Sequence, residues 1–352
     1  MQKVLYNKNI MKRISIIIAA LILTSGITYG QTKRMAVTTL SENMMRAEPD
    51  YESALETQSL MGTVVEIIGE QGYWRQVMTP EPYTAWCTNL GLVEMTPEQI
   101  NEYKAVPKYI CTAQHSGVYV SPKMGSTRLS DLSMGNLLRV VYLPKGKVSK
   151  KGKWVEVMLP DGRKGWTPSA DLAPFADWAA KQSITADNIV KTALQFEGTP
   201  YLWGGASSKG LDCSGLVRLT WFMNGHLLPR NASQQVNYGR EIIMECDHSI
   251  GPDSDRLFQE MSRRIKHLQP GDLVFFGSPE TFWSKEKITH VGIYIGNGRI
   301  IHASHKVRVN SLLPGQKDYY ENSHRLLKAR RMIGWQGKGM MPVLQSPAYF
   351  LW

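Results

Sequence analysis

The sequence lacks most of the features that mark specialised classes of protein. Four cysteines, Cys87, Cys111, Cys213 and Cys246, are few for 352 residues, and none stands in a CxxC or Cys/His spacing suited to zinc. Neither a disulfide framework nor a metal site is implied, and no cofactor is called for. Apart from Lys145 to Lys153, which reads as a loop, no dense Lys/Arg run with interleaved aromatics occurs, so nucleic acid is not an expected partner. The N-terminal apolar run, Ile14 to Leu23, has ten residues, well short of the ~20 that span a bilayer. With 43% hydrophobic and 20% charged residues and ordinary glycine and proline, wholesale disorder, collagen-like repeats and a multi-spanning membrane protein are excluded.

What is present begins with a targeting pattern. Met11, Lys12 and Arg13 precede the apolar run, and Thr28-Tyr29-Gly30 before Gln31 supplies small residues suited to signal-peptidase cleavage. Residues 1–30 are therefore expected to be an export signal, with Met11 sufficient as a start. The mature chain then keeps a net charge of +7 out of +11, a moderately basic surface compatible with an anionic wall polymer or membrane surface. No Cys closes the segment, so a lipid anchor is unsupported and no stable membrane anchor is expected after cleavage; the destination is periplasmic or secreted.

At roughly 150 residues per domain, the length predicts two or three domains. An internal repeat organises the first half. Trp74-Arg75-Gln76-Val77-Met78-Thr79-Pro80 recurs 80 residues later as Trp154-Val155-Glu156-Val157-Met158-Leu159-Pro160, and each copy has a second tryptophan twelve residues on, Trp86 and Trp166. Short strands separated by turn residues are expected over 63–68, 73–78 and 85–90, then over 137–143, 153–158 and 165–168. This pattern resembles bacterial SH3 domains, which implies two small all-β barrels over 31–100 and 101–175. The second copy departs from it by about seven extra residues around Gly146 to Gly152. A short linker over 176–184, packing Phe175 and Trp178, leads into a helix capped by Thr185 or Asp187.

The chemistry lies beyond residue 185. Tyr201-Leu202-Trp203-Gly204-Gly205 through Leu211-Asp212-Cys213-Ser214-Gly215 is a Gly-rich turn feeding a helix of about ten residues, with Cys213 in its first turn. There the helix dipole and unpaired N–H groups are expected to lower the thiol pKa and favour thiolate. A lone Cys is more often a buried structural residue, and Asp212 reads equally well as an N-cap. A second segment tips the balance. His290 and His302 flank a strand pair turned by Gly296-Asn297-Gly298, which can bring both imidazoles together. Cysteine peptidases need such a set: a thiol nucleophile, a His to shuttle the proton, and a polar group to orient that His.

Tyr201 to Gly215 resembles the nucleophile motif of the NlpC/p60-type papain-like cysteine peptidases, Gln269 to Phe276 their PGDLxFF strand, and His290 to Ser304 their histidine hairpin. The resemblance covers 185–335 and leaves 336–352 as a tail. It implies an α+β catalytic domain behind the two barrels, with Cys213 as nucleophile, His290 as general base and acid, and His302 as orienting residue. Tyr201 matches the family tyrosine near the oxyanion site, and Asp212 and Ser214 match substrate-contacting neighbours. The segment Tyr238 to Lys266 is longer than in compact members and is expected to be a solvated insertion rather than a substrate-side loop.

Two SH3-like modules before such a domain resemble the dipeptidyl-peptidase VI-like subgroup, which cuts the γ-D-glutamyl bond to a diamino acid, lysine or meso-diaminopimelate, in murein stem peptides. That likeness implies a groove closed by the first module and a preference for a free N-terminal L-Ala. Glu48 and Tyr83 fall where the subgroup's amine-binding pair lies, although both also read as loop surface. Another bond cut by the same fold, as in an amidase or acyltransferase, and a non-catalytic wall-binding role are the alternatives.

Overall fold

The computed structural model describes residues 33–351; the expected export segment over 1–30 lies outside them. Among the described residues no helix is long and apolar enough to cross a membrane.

Two antiparallel β domains come first. Strands β1 (Arg34–Thr38), β2 (Glu42–Arg46), β3 (Leu55–Leu60), β4 (Val64–Gln71), β5 (Trp74–Met78), β6 (Thr84–Thr88) and β7 (Leu92–Met95) form one sheet in the order β3-β2-β6-β5-β4-β1-β7. Alternation drives it: Val65, Ile67, Val77, Ala85 and Cys87 turn inward onto Ala36 and Met45, while Glu66, Ile68, Gln76, Met78, Thr84 and Trp86 between them are more exposed. Helix α1 (Pro97–Ala105) follows, started by Pro97 and by a capping box between Thr96 and Gln99.

The second domain comprises β8 (Lys108–Cys111), β9 (His115–Tyr119), β10 (Arg128–Ser133), β11 (Leu137–Val140), β12 (Lys150–Lys151), β13 (Trp154–Met158), β14 (Lys164–Pro168) and β15 (Leu172–Pro174). The repeat seen in sequence occupies equivalent places, because Gln76 lies opposite Trp86 as Glu156 lies opposite Trp166. The extra residues of the second copy make an outward arm. Leu143 N donates to Lys147 O at 2.7 Å, and β12 pairs with β13.

The C-terminal half is α+β. Helices α2 (Phe175–Lys181) and α3 (Ala186–Leu194) lead through β16 (Ala206–Ser207) and β17 (Gly210–Leu211) to α4 (Cys213–Phe222), then β18 (His226–Leu227) and α5 (Ala232–Gln235). After β19 (Arg240–Glu241) and α6 (Leu257–Arg264) come β20 (Leu273–Ser278), β21 (Lys287–Gly296), β22 (Arg299–Ser304), β23 (Lys306–Ser311), β24 (Leu326–Arg331) and β25 (Met341–Pro342). The sheet order is β19-β24-β20-β21-β22-β23. One face, through Phe275, Val291, Ile293, Ile301 and Ala303, shares a core with Leu216, Val217 and Trp221 of α4.

Two expectations change here. The 238–266 insertion is not merely solvated: Ile242, Ile250, Leu257 and Met261 cover the other face of the sheet, and Glu260 and Arg264 form a fully buried ion pair. The linker packs Phe175 and Trp178, both on α2, and Phe175 stacks on Phe350 at 5.2 Å. The 336–351 stretch does not trail, since β25 pairs with β18 and buried Val343 and Tyr349 join the core. In each case apolar side chains that would otherwise meet water are removed from it.

Candidate active site

The start of α4 is held from several directions. Asp212 is its N-cap in extended geometry, and Oδ1 accepts from Gly215 N at 2.7 Å and from Ser214 Oγ at 3.0 Å. Buried Arg230 adds Nη2 to Asp212 Oδ2 at 2.6 Å, Nη1 to Ser214 Oγ at 3.0 Å, and Nε to Thr57 Oγ1 of the first β domain at 2.7 Å. A Cβ on Gly215 would lie 2.0 Å from Gly205 O, so only glycine lets the helix approach this turn. Gly204, at φ +74°, fits beneath Leu55 of β3 for the same reason, and Gln58 Oε1 accepts from Ala206 N at 2.8 Å. Strand β3 thus forms one wall of the site.

Cys213 is 9% exposed, and the backbone N–H groups of Val291 and Ser214 reach its sulfur. The expected thiolate is not favoured at rest. Burial, reinforced by the Asp212 carboxylate, pushes the thiol up to about 12 and outweighs the N–H donors and Arg230. His290 is likewise pushed down to about 3 by burial and by neighbouring His302. At rest the thiol and the imidazole are both neutral.

The tautomers follow from a chain of hydrogen bonds. Asn310 Nδ2 donates to Asp318 O at 2.6 Å, which turns its Oδ1 toward His302 Nε2 at 2.9 Å. An amide oxygen only accepts, so His302 carries its proton on Nε2 and its Nδ1 is an acceptor. His290 Nε2, 2.7 Å from that Nδ1, therefore donates, leaving His290 Nδ1 unprotonated as the basic nitrogen of the set. His302 is fully buried and pushed down to about 4 by burial, which keeps it neutral. Gly292 makes room: its Cβ would lie 3.3 Å from that of His302.

The residues expected from sequence are placed unevenly. Cys213, His290, His302, Asp212 and Ser214 come together, and Tyr201, tied by its N–H to His305 O at 3.0 Å, stands close enough for its hydroxyl to feel the Cys213 charge. Asp212 and Ser214, however, already hydrogen-bond within the protein. Tyr83 joins the site's rim through Asn231 and Arg230, but its hydroxyl donates to Glu56, not to Glu48. Glu48 is exposed on the loop after β2, where its backbone bonds Ser53 Oγ at 2.9 Å. Sequence reading missed Arg230, Asn310 and Glu56. The alternation of Arg308 and Asn310 along β23 was a usable signal for Asn310, whereas Arg230 and Glu56 become relevant only when two domains meet.

Residues 198–327 match the NlpC/P60 family. The chain is 27% identical over 287 residues to a gamma-D-glutamyl-L-lysine dipeptidyl-peptidase of Bacillus cereus, spanning 78% of this chain and 75% of that one. It is 29% identical over 271 residues to dipeptidyl-peptidase 6 of Lysinibacillus sphaericus, spanning 76% and 87%. The fold matches the crystal structure of an NlpC/P60 family protein from Bacillus cereus with a TM-score of 0.64 at 21% identity, over 85% of this chain and 99% of that chain. With two β domains ahead of a Cys-His-His site on an α+β scaffold, this chain is an NlpC/P60 family cysteine peptidase related to the gamma-D-glutamyl-L-lysine dipeptidyl-peptidases.

Proposed function

We propose that this chain hydrolyses the amide between γ-D-glutamate and an L-diamino acid in murein peptides carrying a free N-terminal L-Ala. The observation that carries the chemistry is the hydrogen-bonded row Asn310, His302, His290, with 2.7 Å between the two imidazoles, beside buried Cys213. Cys213 Sγ attacks the γ-carbonyl carbon as His290 Nδ1 takes the thiol proton. The C–N bond then breaks, that proton passes to the departing α-amine of the diamino acid, and water hydrolyses the thioester to release L-Ala-γ-D-Glu. Tyr201 is suited to donate to the oxyanion.

The free-amine preference is supported by the first β domain. Glu56 and Tyr83 meet Asn231 and Arg230 at the wall formed by β3, and a carboxylate there can hold an ammonium. Glu56 replaces Glu48 in this role. Action outside the cytoplasm, in the periplasm or beyond, fits the basic and apolar pattern of residues 11–30. Mass spectrometry of products from L-Ala-γ-D-Glu-diaminopimelate, with free and with blocked N-terminus, tests the reading: free dipeptide and diamino acid are expected from the first, and little turnover from the second. An amidase or acyltransferase of this fold would release different products.

A further inference from the structure

The face of the sheet that bears the histidines is cationic. Arg308 of β23 stands directly opposite His302 of β22, and residues so paired share a face with Cβ atoms about 5 Å apart. Arg308 is half-buried, its Nε is sealed from solvent without a hydrogen-bond partner, and no carboxylate among the described residues pairs with it. Arg325 adds a second charge, anchored by Nε to Gly277 O at 3.0 Å. Both guanidinium charges act on His290 and on Tyr320, whose ring lies 4.6 Å from that of His302. Nearby Asp318 is engaged by Arg299, and Glu321 is exposed.

A half-buried guanidinium without a counter-ion is costly unless a ligand supplies one. The substrate's geometry indicates which group does. The acyl part, L-Ala-γ-D-Glu, belongs with Asp212, Ser214, Glu56 and Tyr83 on the first-domain side. The leaving amine must collect its proton from His290, so the diamino acid lies on the histidine side, toward Arg308. Lysine ends there in an ammonium group alone; diaminopimelate ends in a carbon bearing an ammonium and a carboxylate, and a guanidinium fork matches that carboxylate. Resting on the peptidase reading above, we infer that Arg308, reinforced by Arg325, binds the distal carboxylate of diaminopimelate and makes this chain selective for diaminopimelate over lysine.

The test measures kcat/KM for L-Ala-γ-D-Glu-meso-diaminopimelate and L-Ala-γ-D-Glu-L-Lys, each also with the D-Glu α-carboxylate amidated, on the parent and on Arg308→Gln. The parent is expected to favour diaminopimelate by at least about tenfold, and amidation to leave that ratio standing. Arg308→Gln is expected to bring the ratio within about threefold, slowing the diaminopimelate peptide and quickening the lysine one. Equal parental rates, or a preference for lysine, overturn the inference without any variant. A ratio that survives Arg308→Gln overturns it too, as does an Arg308 effect that vanishes on amidation, which would assign the bound carboxylate to D-Glu. Failure of the parent to cut either peptide removes the peptidase reading itself, whereas equal cleavage of both removes this inference alone.

Discussion

Glu81, in the loop between β5 and β6 of the first β domain, forms a buried ion pair with Arg218 on the helix that begins with Cys213. Their side chains are 2% and 12% exposed, so the pair is withdrawn from water at a junction between two domains. The same loop carries Tyr83, which places the rim of the site and the Cys213 helix under one constraint.

Breaking that pair should be costly. Glu81→Ala leaves Arg218 buried and unpaired, for an expected loss of about 3 to 5 kcal/mol, whereas Glu81→Ala with Arg218→Met should lose less than the single variant. Denaturant unfolding of both reads this directly; equal losses in the two would show that the Arg218 charge is not what makes the single variant unstable.

The row of hydrogen bonds behind His290 makes a graded prediction. Cys213→Ala and His290→Ala should abolish hydrolysis with the fold intact, and His302→Ala should be milder because water can replace part of an orienting group. Asn310→Leu removes the acceptor that fixes both tautomers and should lower kcat by about tenfold or more, while Asn310→Asp keeps an acceptor and should recover most of it. If Asn310→Leu changed KM alone, the tautomer argument would fail.

Acid should affect activity late and stability early. With His290 pushed down to about 3 and His302 to about 4, both imidazoles stay neutral through mildly acidic pH, so kcat/KM should show no acid limb near the ordinary histidine value of about 6.5. In the unfolded chain the same groups protonate near that value. The stability they contribute is therefore complete above it and is lost as pH falls from about 6.5 toward their folded values. Thermal melts and initial rates across pH 4 to 8 check the pair of statements; an acid limb centred at or above about 6.5 contradicts them.

The first β domain should act as a gate through Glu56. Removing a carboxylate that holds a ligand ammonium costs roughly 2 to 5 kcal/mol, so Glu56→Ala should lower kcat/KM on free-amine peptide by at least about tenfold and barely alter the low rate on N-acetylated peptide. Glu48→Ala should resemble the parent. A parent that cuts muramyl-linked stem peptides as fast as free ones would show that the groove is open at that end.

Much of this was legible in sequence because it is written locally. The tryptophan repeat, the Asp212-Cys213-Ser214-Gly215 helix start and the paired histidines depend on spacing and turn residues, and each is found where spacing puts it. Three things were not local. The thiol's raised pKa reflects burial by distant segments rather than its own helix. Glu56 adjoins Tyr83 only because β2 pairs with both β3 and β6, and β3 packs on the catalytic half. The 238–266 insertion looks polar by composition, yet places Leu257 and Met261 on one side of α6 against the sheet, and Glu260 with Arg264 buried as a pair.

Product analysis of L-Ala-γ-D-Glu-meso-diaminopimelate by mass spectrometry, with Cys213→Ala alongside, tests the central claim most directly. The parent is expected to yield L-Ala-γ-D-Glu and free diaminopimelate, and Cys213→Ala to yield neither. Release of L-Ala, or turnover that persists in Cys213→Ala, would contradict a thiol-dependent γ-D-glutamyl-diamino acid peptidase.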